Sequence, residues 1–250
     1  MTFTAMASFI RIAHRGASGS YPENTRTALE KAIEARADMI EIDCQLSKDG
    51  HIVVFHDERL ARTTGVRGTI KGKTLRQLKK LDCGSWLKKS FRGERILTLE
   101  EVLGIVAGKV DLTLDIKSVP HGLLGIELKI LFILSHYDYL GRAILSSFDY
   151  RSLCRVRELG PEARIGLIYG KGMDEEGCFQ AAREVHACCV HVEKELAVPS
   201  FLERAAENGL KSFVWTVNEV AEMERFVSLG ADGIITDFPE RFWKVKPRKR

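Results

Sequence analysis

An α/β barrel is what this sequence predicts, and three observations carry that expectation. Apolar strand-like runs alternate with amphipathic helical patterns, and eight strands can be counted in parallel-type succession. The residues best suited to chemistry fall at or just past the C-terminal ends of those strands. The chain has 250 residues, 45% of them apolar, enough for one sizeable core. The reading is a TIM (β/α)8 barrel rather than a doubly wound sheet, in one domain over 1–250, with a small inserted subdomain at about 57–97 after a β-hairpin on the second strand.

The first strand ends at His14, and Arg15-Gly16 opens the loop after it. Asn24 or Thr25 can cap a helix running to about Arg36, whose apolar stripe is Ala28, Leu29, Ala32 and Ile33. Glu23-Asn24 therefore has a capping explanation beside a site one. Met39-Ile40-Glu41-Ile42-Asp43-Cys44 reads as the second strand, with Glu41 and Asp43 on one face by period-two alternation. Asp49-Gly50 signals a hairpin, and 51–56 reads as the returning strand. A two-residue turn there makes Lys48 face His51 and sets Asp43 opposite His56.

The insert holds Gly65, Gly68, Gly72, Gly84 and Gly93, with one short helix expected at 74–81. Trp86 is expected in the insert's own small core, with the floor of a substrate pocket as the alternative. Further strands are expected at 111–116, 143–146, 164–169, 188–192, 211–215 and 233–236. Helices are expected at 99–107, 123–135, 150–159, 175–185, 199–208 and 220–229. The apolar run 123–134 is too short to span a membrane and is broken by Glu127 and Lys129, so it reads as an outer barrel helix, with a subunit interface as the alternative.

Hard oxygen ligands such as Glu41 and Asp43 suit Mg²⁺ or Ca²⁺ better than a soft metal. His14 and His56 add two imidazoles for proton transfer, and Arg15 a fork for an anion. Acid, base, cation and anion-holding charge are together what hydrolysis of a phosphodiester requires. His191 ends a strand at the same end of the barrel and is a weaker candidate for a substrate contact. His51, His121, His136 and His186 read as surface positions.

Four motifs in order, His14-Arg15-Gly16, Pro22-Glu23-Asn24-Thr25, Glu41-x-Asp43 and Val53-Val54-Phe55-His56-Asp57, resemble the signature of the glycerophosphodiester phosphodiesterase family. Ser146-Ser147-Phe148, Trp215-Thr216-Val217-Asn218 and Asp232-Gly233-Ile234-Ile235-Thr236-Asp237 carry the resemblance nearly to the C-terminus. It implies metal-dependent hydrolysis of glycerophosphodiesters to sn-glycerol 3-phosphate and an alcohol, and a small inserted subdomain. It also implies a third metal carboxylate and a phosphate-binding lysine on a later strand, here Asp115 and Lys117. The family usually has Glu where Asp115 stands, so this ligand is one methylene shorter. Trp215 is the expected substrate contact. Lysophospholipid hydrolysis and a non-catalytic glycerophosphodiester-binding barrel are the alternatives.

The formal charge of +4 is concentrated at the C-terminus, where residues 240–250 carry six Lys or Arg against one Glu. The body is thus close to neutral, which argues against a nucleic-acid partner. The basic tail reads as solvated, with a weak anionic-membrane contact as the alternative. Six scattered cysteines without a zinc spacing (Cys44, Cys83, Cys154, Cys178, Cys188 and Cys189) suggest reduced thiols, and residues 1–9 show no signal-peptide pattern. The expected setting is cytoplasmic, with a small-molecule substrate, no membrane span and a homo-oligomer as an option.

Overall fold

The computed structural model describes residues 9–117 and 125–246. His121, the start of the helix expected at 123–135, the extreme N-terminus and the last four residues of the basic tail lie outside the described residues.

Eight parallel strands form the barrel: β1 (Ile10–His14), β2 (Met39–Leu46), β5 (Asp111–Ile116), β6 (Ala143–Ser147), β7 (Arg164–Tyr169), β8 (Cys189–Glu193), β9 (Lys211–Trp215) and β10 (Gly233–Thr236). Each pairs with its neighbour in that order, and β1 closes the ring by pairing with both β10 and β2. Short antiparallel strands β3 (Ile52–Val54) and β4 (Leu97–Thr98) extend β2 outward. The TIM barrel expected from the strand count is therefore the fold.

Helices α1 (Arg26–Glu34), α4 (Leu99–Val106), α5 (Ile126–His136), α6 (Tyr150–Leu159), α7 (Glu175–Glu184), α8 (Pro199–Glu207) and α9 (Val220–Leu229) form the outer ring. Local chemistry fixes where several begin. Thr25 caps α1, Thr98 and Glu101 make a reciprocal capping box for α4, and Asp149 and Asp174 cap α6 and α7. Their apolar stripes pack on the outward faces of the strands. The barrel interior is filled by Ile12, Met39, Ile144, Cys189, Phe213 and Ile235, all buried. Truncating Phe213 to Ala would remove the largest side chain of this plug, a change that costs about 3–5 kcal/mol in well-packed cores.

The hairpin departs from expectation. Gly50 N donates to Ser47 O at 3.0 Å and Ser47 Oγ donates to Asp49 Oδ1 at 2.7 Å, so Ser47 pairs with His51 around a three-residue loop. Gly50 supplies the left-handed residue this loop needs, with φ +81°. The extra residue shifts the pairing by one, so Asp43 faces Phe55, whose N–H donates to Asp43 O at 2.9 Å, and not His56. His56 lies past the end of β3. It is held there by Gln45, whose amide donates to the carbonyls of Phe55, His56 and Asp57.

Beyond the hairpin, residues 55–96 gather Phe55, Leu60, Ile70, Leu78, Cys83 and Ile96 into a small apolar cluster shared with Val53. It contains α2 (Ala61–Thr64), which the sequence pattern did not suggest, and α3 (Leu75–Leu78), shorter than expected. Trp86 is outside that cluster and does not line the cavity at the strand ends. It is 40% exposed, with its indole N–H donating to Cys83 O. Cys188 precedes β8 and is half-buried, whereas Cys44 is fully buried on β2. Among the described residues no helix is long and apolar enough to cross a membrane.

Candidate active site

The strand ends bring His14, Arg15, Glu41, Asp43, His56, Asp115, Lys117 and Trp215 into one cavity, with Phe148, Ile168, His191 and Ile235 completing its wall. The register explains the convergence: His14 pairs with Glu41 across β1 and β2, and Asp43 with Asp115 across β2 and β5. Ligand-type oxygens of Glu41, Asp43 and Asp115 lie within 4.8 Å of one another, and all three residues are buried.

Buried carboxylates so close cannot all ionise without positive charge nearby. Burial and the adjacent Asp43 push Glu41 up to about 7. Asp115 is also raised, chiefly by burial. Burial acts against the charge of Asp43 too, but Lys117 and Arg15 overcome it and hold this carboxyl well below the usual range. Lys117 Nζ lies 2.8 Å from Asp43 Oδ1 and bonds Asp115 as well. Arg15 Nε is 3.3 Å from Asp43 Oδ2, and the backbone N–H of Arg15 donates to Glu41 Oε2 at 3.0 Å.

The loop after β1 is shaped for this reach. Arg15 sits in the left-handed region at φ +54°, an uncommon state for a non-glycine residue that clusters at functional sites. Gly16 follows at φ +83°, and a Cβ there would come within 2.6 Å of the Ala28 backbone, so only glycine lets α1 approach. Glu23 and Asn24 serve the site and not the cap. Asn24 Nδ2 donates to Asp43 Oδ2 at 2.7 Å, and Glu23 pairs with Arg15 at 3.1 Å.

Both imidazoles are held by carboxylates through Nδ1. His14 Nδ1 lies 2.6 Å from Asp237 Oδ1, and His56 Nδ1 lies 2.6 Å from Asp57 Oδ1. A carboxylate at Nδ1 keeps the proton there and leaves Nε2 as the free nitrogen. Burial opposes the charge of Asp237, but hydrogen bonds from His14, Asn218 and Ser18 hold it at about 2. Arg62 holds Asp57 at about 2. Burial lowers the His56 imidazole below its ordinary value, helped by Arg15 and Lys117 against Asp43. Burial alone takes His191 down to about 4, so its ring is neutral.

Four supporting residues, Asp57, Arg62, Asn218 and Asp237, have no role that the sequence alone assigns, and Glu23 has one of two. Asp57, Asn218 and Asp237 stand within motifs, whereas Arg62, which clamps both Glu23 and Asp57, has no local signal at all.

Fold and comparisons together define a TIM-barrel enzyme with a buried acidic cavity at its C-terminal strand ends. A sequence profile of the glycerophosphoryl diester phosphodiesterase family matches residues 14–241. A glycerophosphodiester phosphodiesterase of Caldanaerobacter subterraneus subsp. tengcongensis is 43% identical over 92% of this chain and 94% of its own. A phosphodiesterase of Oleispira antarctica, solved with the product sn-glycerol-3-phosphate, is similar in structure with a TM-score of 0.85 and 28% identity, over 94% of this chain and 95% of the other. A glycerophosphodiester phosphodiesterase of Thermotoga maritima gives 0.77 and 30%, over 96% and 99%. The chain belongs to the glycerophosphoryl diester phosphodiesterase family.

Proposed function

We propose that this enzyme hydrolyses glycerophosphodiesters to sn-glycerol 3-phosphate and an alcohol with the aid of one divalent cation, Mg²⁺ or Ca²⁺. The observation that carries this reading is the buried Glu41, Asp43 and Asp115 trio between two carboxylate-held histidines. The sn-glycerol-3-phosphate bound by the Oleispira antarctica relative supports the choice of product.

The trio suits a hard cation. Asp115 Oδ1 is buried without a hydrogen-bond partner among the described residues, and Glu41 is raised by burial and by the adjacent Asp43, a charge crowding that a cation would relieve. A bound Mg²⁺ or Ca²⁺ would supply Lewis-acid polarisation of the phosphoryl oxygens. Glu41, Asp43 and Asp115 would be its ligands.

The remaining steps belong to the chain. Arg15 and Lys117 hold the negative charge of the diester, and that support strengthens as charge builds in the transition state. His14 and His56 act as the base and acid pair. Asp237 and Asp57 stabilise each ring when it is charged, and keep Nε2 aimed while it is neutral. Trp215, braced edge-to-face by Phe148 at 6.0 Å and by a 3.0 Å bond to His191 O, walls the cavity beside the substrate. A cytoplasmic setting belongs to the same proposal and rests on the scattered cysteines.

An assay of glycerophosphocholine and of a lysophospholipid, each with and without chelator, tests this reading. Chelator-sensitive turnover of glycerophosphocholine is the expected result. Preference for the lysophospholipid would favour the lipid-directed reading, and binding without turnover would favour a non-catalytic barrel.

A further inference from the structure

Two cavities meet at the acidic cluster. One, of ≈ 200 Å³, is the barrel mouth itself, running from His14 past Ile168 and His191 to Trp215. The other, of ≈ 220 Å³, lies on the insert side, between Gln45, Ile116 and Ser147 of the barrel and Glu58 and Lys71 of the insert. His56, Asp115, Lys117 and Phe148 line both. A diester phosphate bound among those shared residues sends one arm into each cavity.

On the phosphodiesterase reading above, we infer that the insert-side cavity receives the departing alcohol and that Glu58 makes it selective for an ammonium-bearing one. The barrel mouth has rigid strand-borne walls of fixed shape, which suit the constant glycerol arm. The insert-side cavity has exposed charges at its rim, which suit an arm that varies. Backbone pairing sets the two residues side by side: Ile70 N donates to Glu58 O at 3.0 Å, and the side chains of Lys71 and Glu58 pair at 2.7 Å. An ion pair this exposed is weak and easily exchanged. A substrate ammonium can take the place of Lys71 on the Glu58 carboxylate while Lys71 turns to water. Phe148, 47% exposed at the junction of the two cavities, adds an aromatic surface that attracts a cation. A neutral polyol arm gains neither contact.

The test compares glycerophosphoethanolamine with glycerophosphoglycerol on the wild type, Glu58→Gln and Lys71→Met. The ratio of kcat/KM for amine over polyol is expected to fall about five-fold in Glu58→Gln, the scale of one exposed ion pair, and to rise in Lys71→Met because Glu58 is freed. Opposite signs separate charge recognition from general damage to the insert. Calorimetric binding of both diesters in a His14→Ala background is expected to show the same ratio. A ratio unchanged in both variants, or shifted in the same direction by both, overturns the inference. If the wild type hydrolyses neither diester, the hydrolase reading falls, and the binding ratio still decides what Glu58 recognises.

Discussion

The Lys117 ammonium lies 2.8 Å from Asp43 Oδ1, at the centre of the acidic cluster. Burial alone would lower this lysine, but Asp43 and Asp115 raise it well above its ordinary value, so it is always charged. That charge lets Asp43 stay ionised, and on the proposed function it would also neutralise a phosphoryl oxygen.

Lys117→Met separates those roles. If the lysine binds phosphate, kcat/KM is expected to fall by roughly two orders of magnitude, as for loss of one preorganised electrostatic contact. Cation affinity should hold or tighten, because a competing positive charge has gone. Weaker cation binding with near-normal turnover at saturating cation would assign Lys117 a purely structural role.

The raised Glu41 gives a pH signature. Its pKa stands at about 7 in the folded protein against an ordinary 4.5, so without cation the folded state holds a proton that the unfolded chain has released. The Glu41 contribution to the stability of the cation-free protein is then expected to fall as pH rises from about 4.5 to 7, read as the difference between the wild type and Glu41→Gln, because His191, held at about 4, contributes in the opposite sense over much of that range. A divalent cation must displace that proton. Its addition should therefore raise Tm more at alkaline than at acidic pH, and calorimetry in buffers of different ionisation heat should detect proton release. A cation-induced rise in Tm independent of pH would contradict the carboxylate assignment.

His14→Ala and His56→Ala should each lower turnover by roughly two to four orders of magnitude, the usual scale of a lost acid or base. Asp237→Asn and Asp57→Asn should lower it less, since the imidazoles remain but lose the group that fixes Nδ1–H. Circular dichroism should find all four folded, as none of these side chains fills the core. A fully active Asp237→Asn protein would remove Asp237 from the mechanism.

How much of this was legible in the sequence varied with the range of the interactions. Parallel strands buried on both faces read as apolar runs, and β5, β7, β9 and β10 begin and end where the pattern places them. Of the candidate site, His14, Glu41 and Asp43 were legible from the strand pattern, whereas the roles of Asp115 and Lys117 rested on the family resemblance, and parallel register then brings those strand ends together. The hairpin failed because its loop length is set by the Ser47 side chain, which local composition does not rank against a two-residue Asp-Gly turn. The Glu23–Arg62 clamp was invisible because it joins the loop after β1 to the short helix α2, 39 residues away, and nothing near Arg62 hints at its partner.

Asp115 is the position where this chain departs from the Glu expected of its family, and its geometry bears on whether it reaches a cation. One carboxylate oxygen bonds Lys117, while Oδ1 is buried with no partner among the described residues. A buried oxygen left unpaired costs free energy unless something bonds it, and a cation ligand is the use that the neighbouring Glu41 and Asp43 suggest. Asp115→Asn keeps the shape and an oxygen but loses the charge. Cation affinity is expected to fall about 10- to 100-fold, the scale on which even outer groups of metal sites act. Removing this carboxylate also relieves Glu41, which Asp115 helps to raise, so the pH midpoint for cation binding should move down. Both effects can be read from one calorimetric titration repeated across pH. Unchanged affinity and midpoint would mean that a cation sits on Glu41 and Asp43 alone, with Asp115 serving only to anchor Lys117.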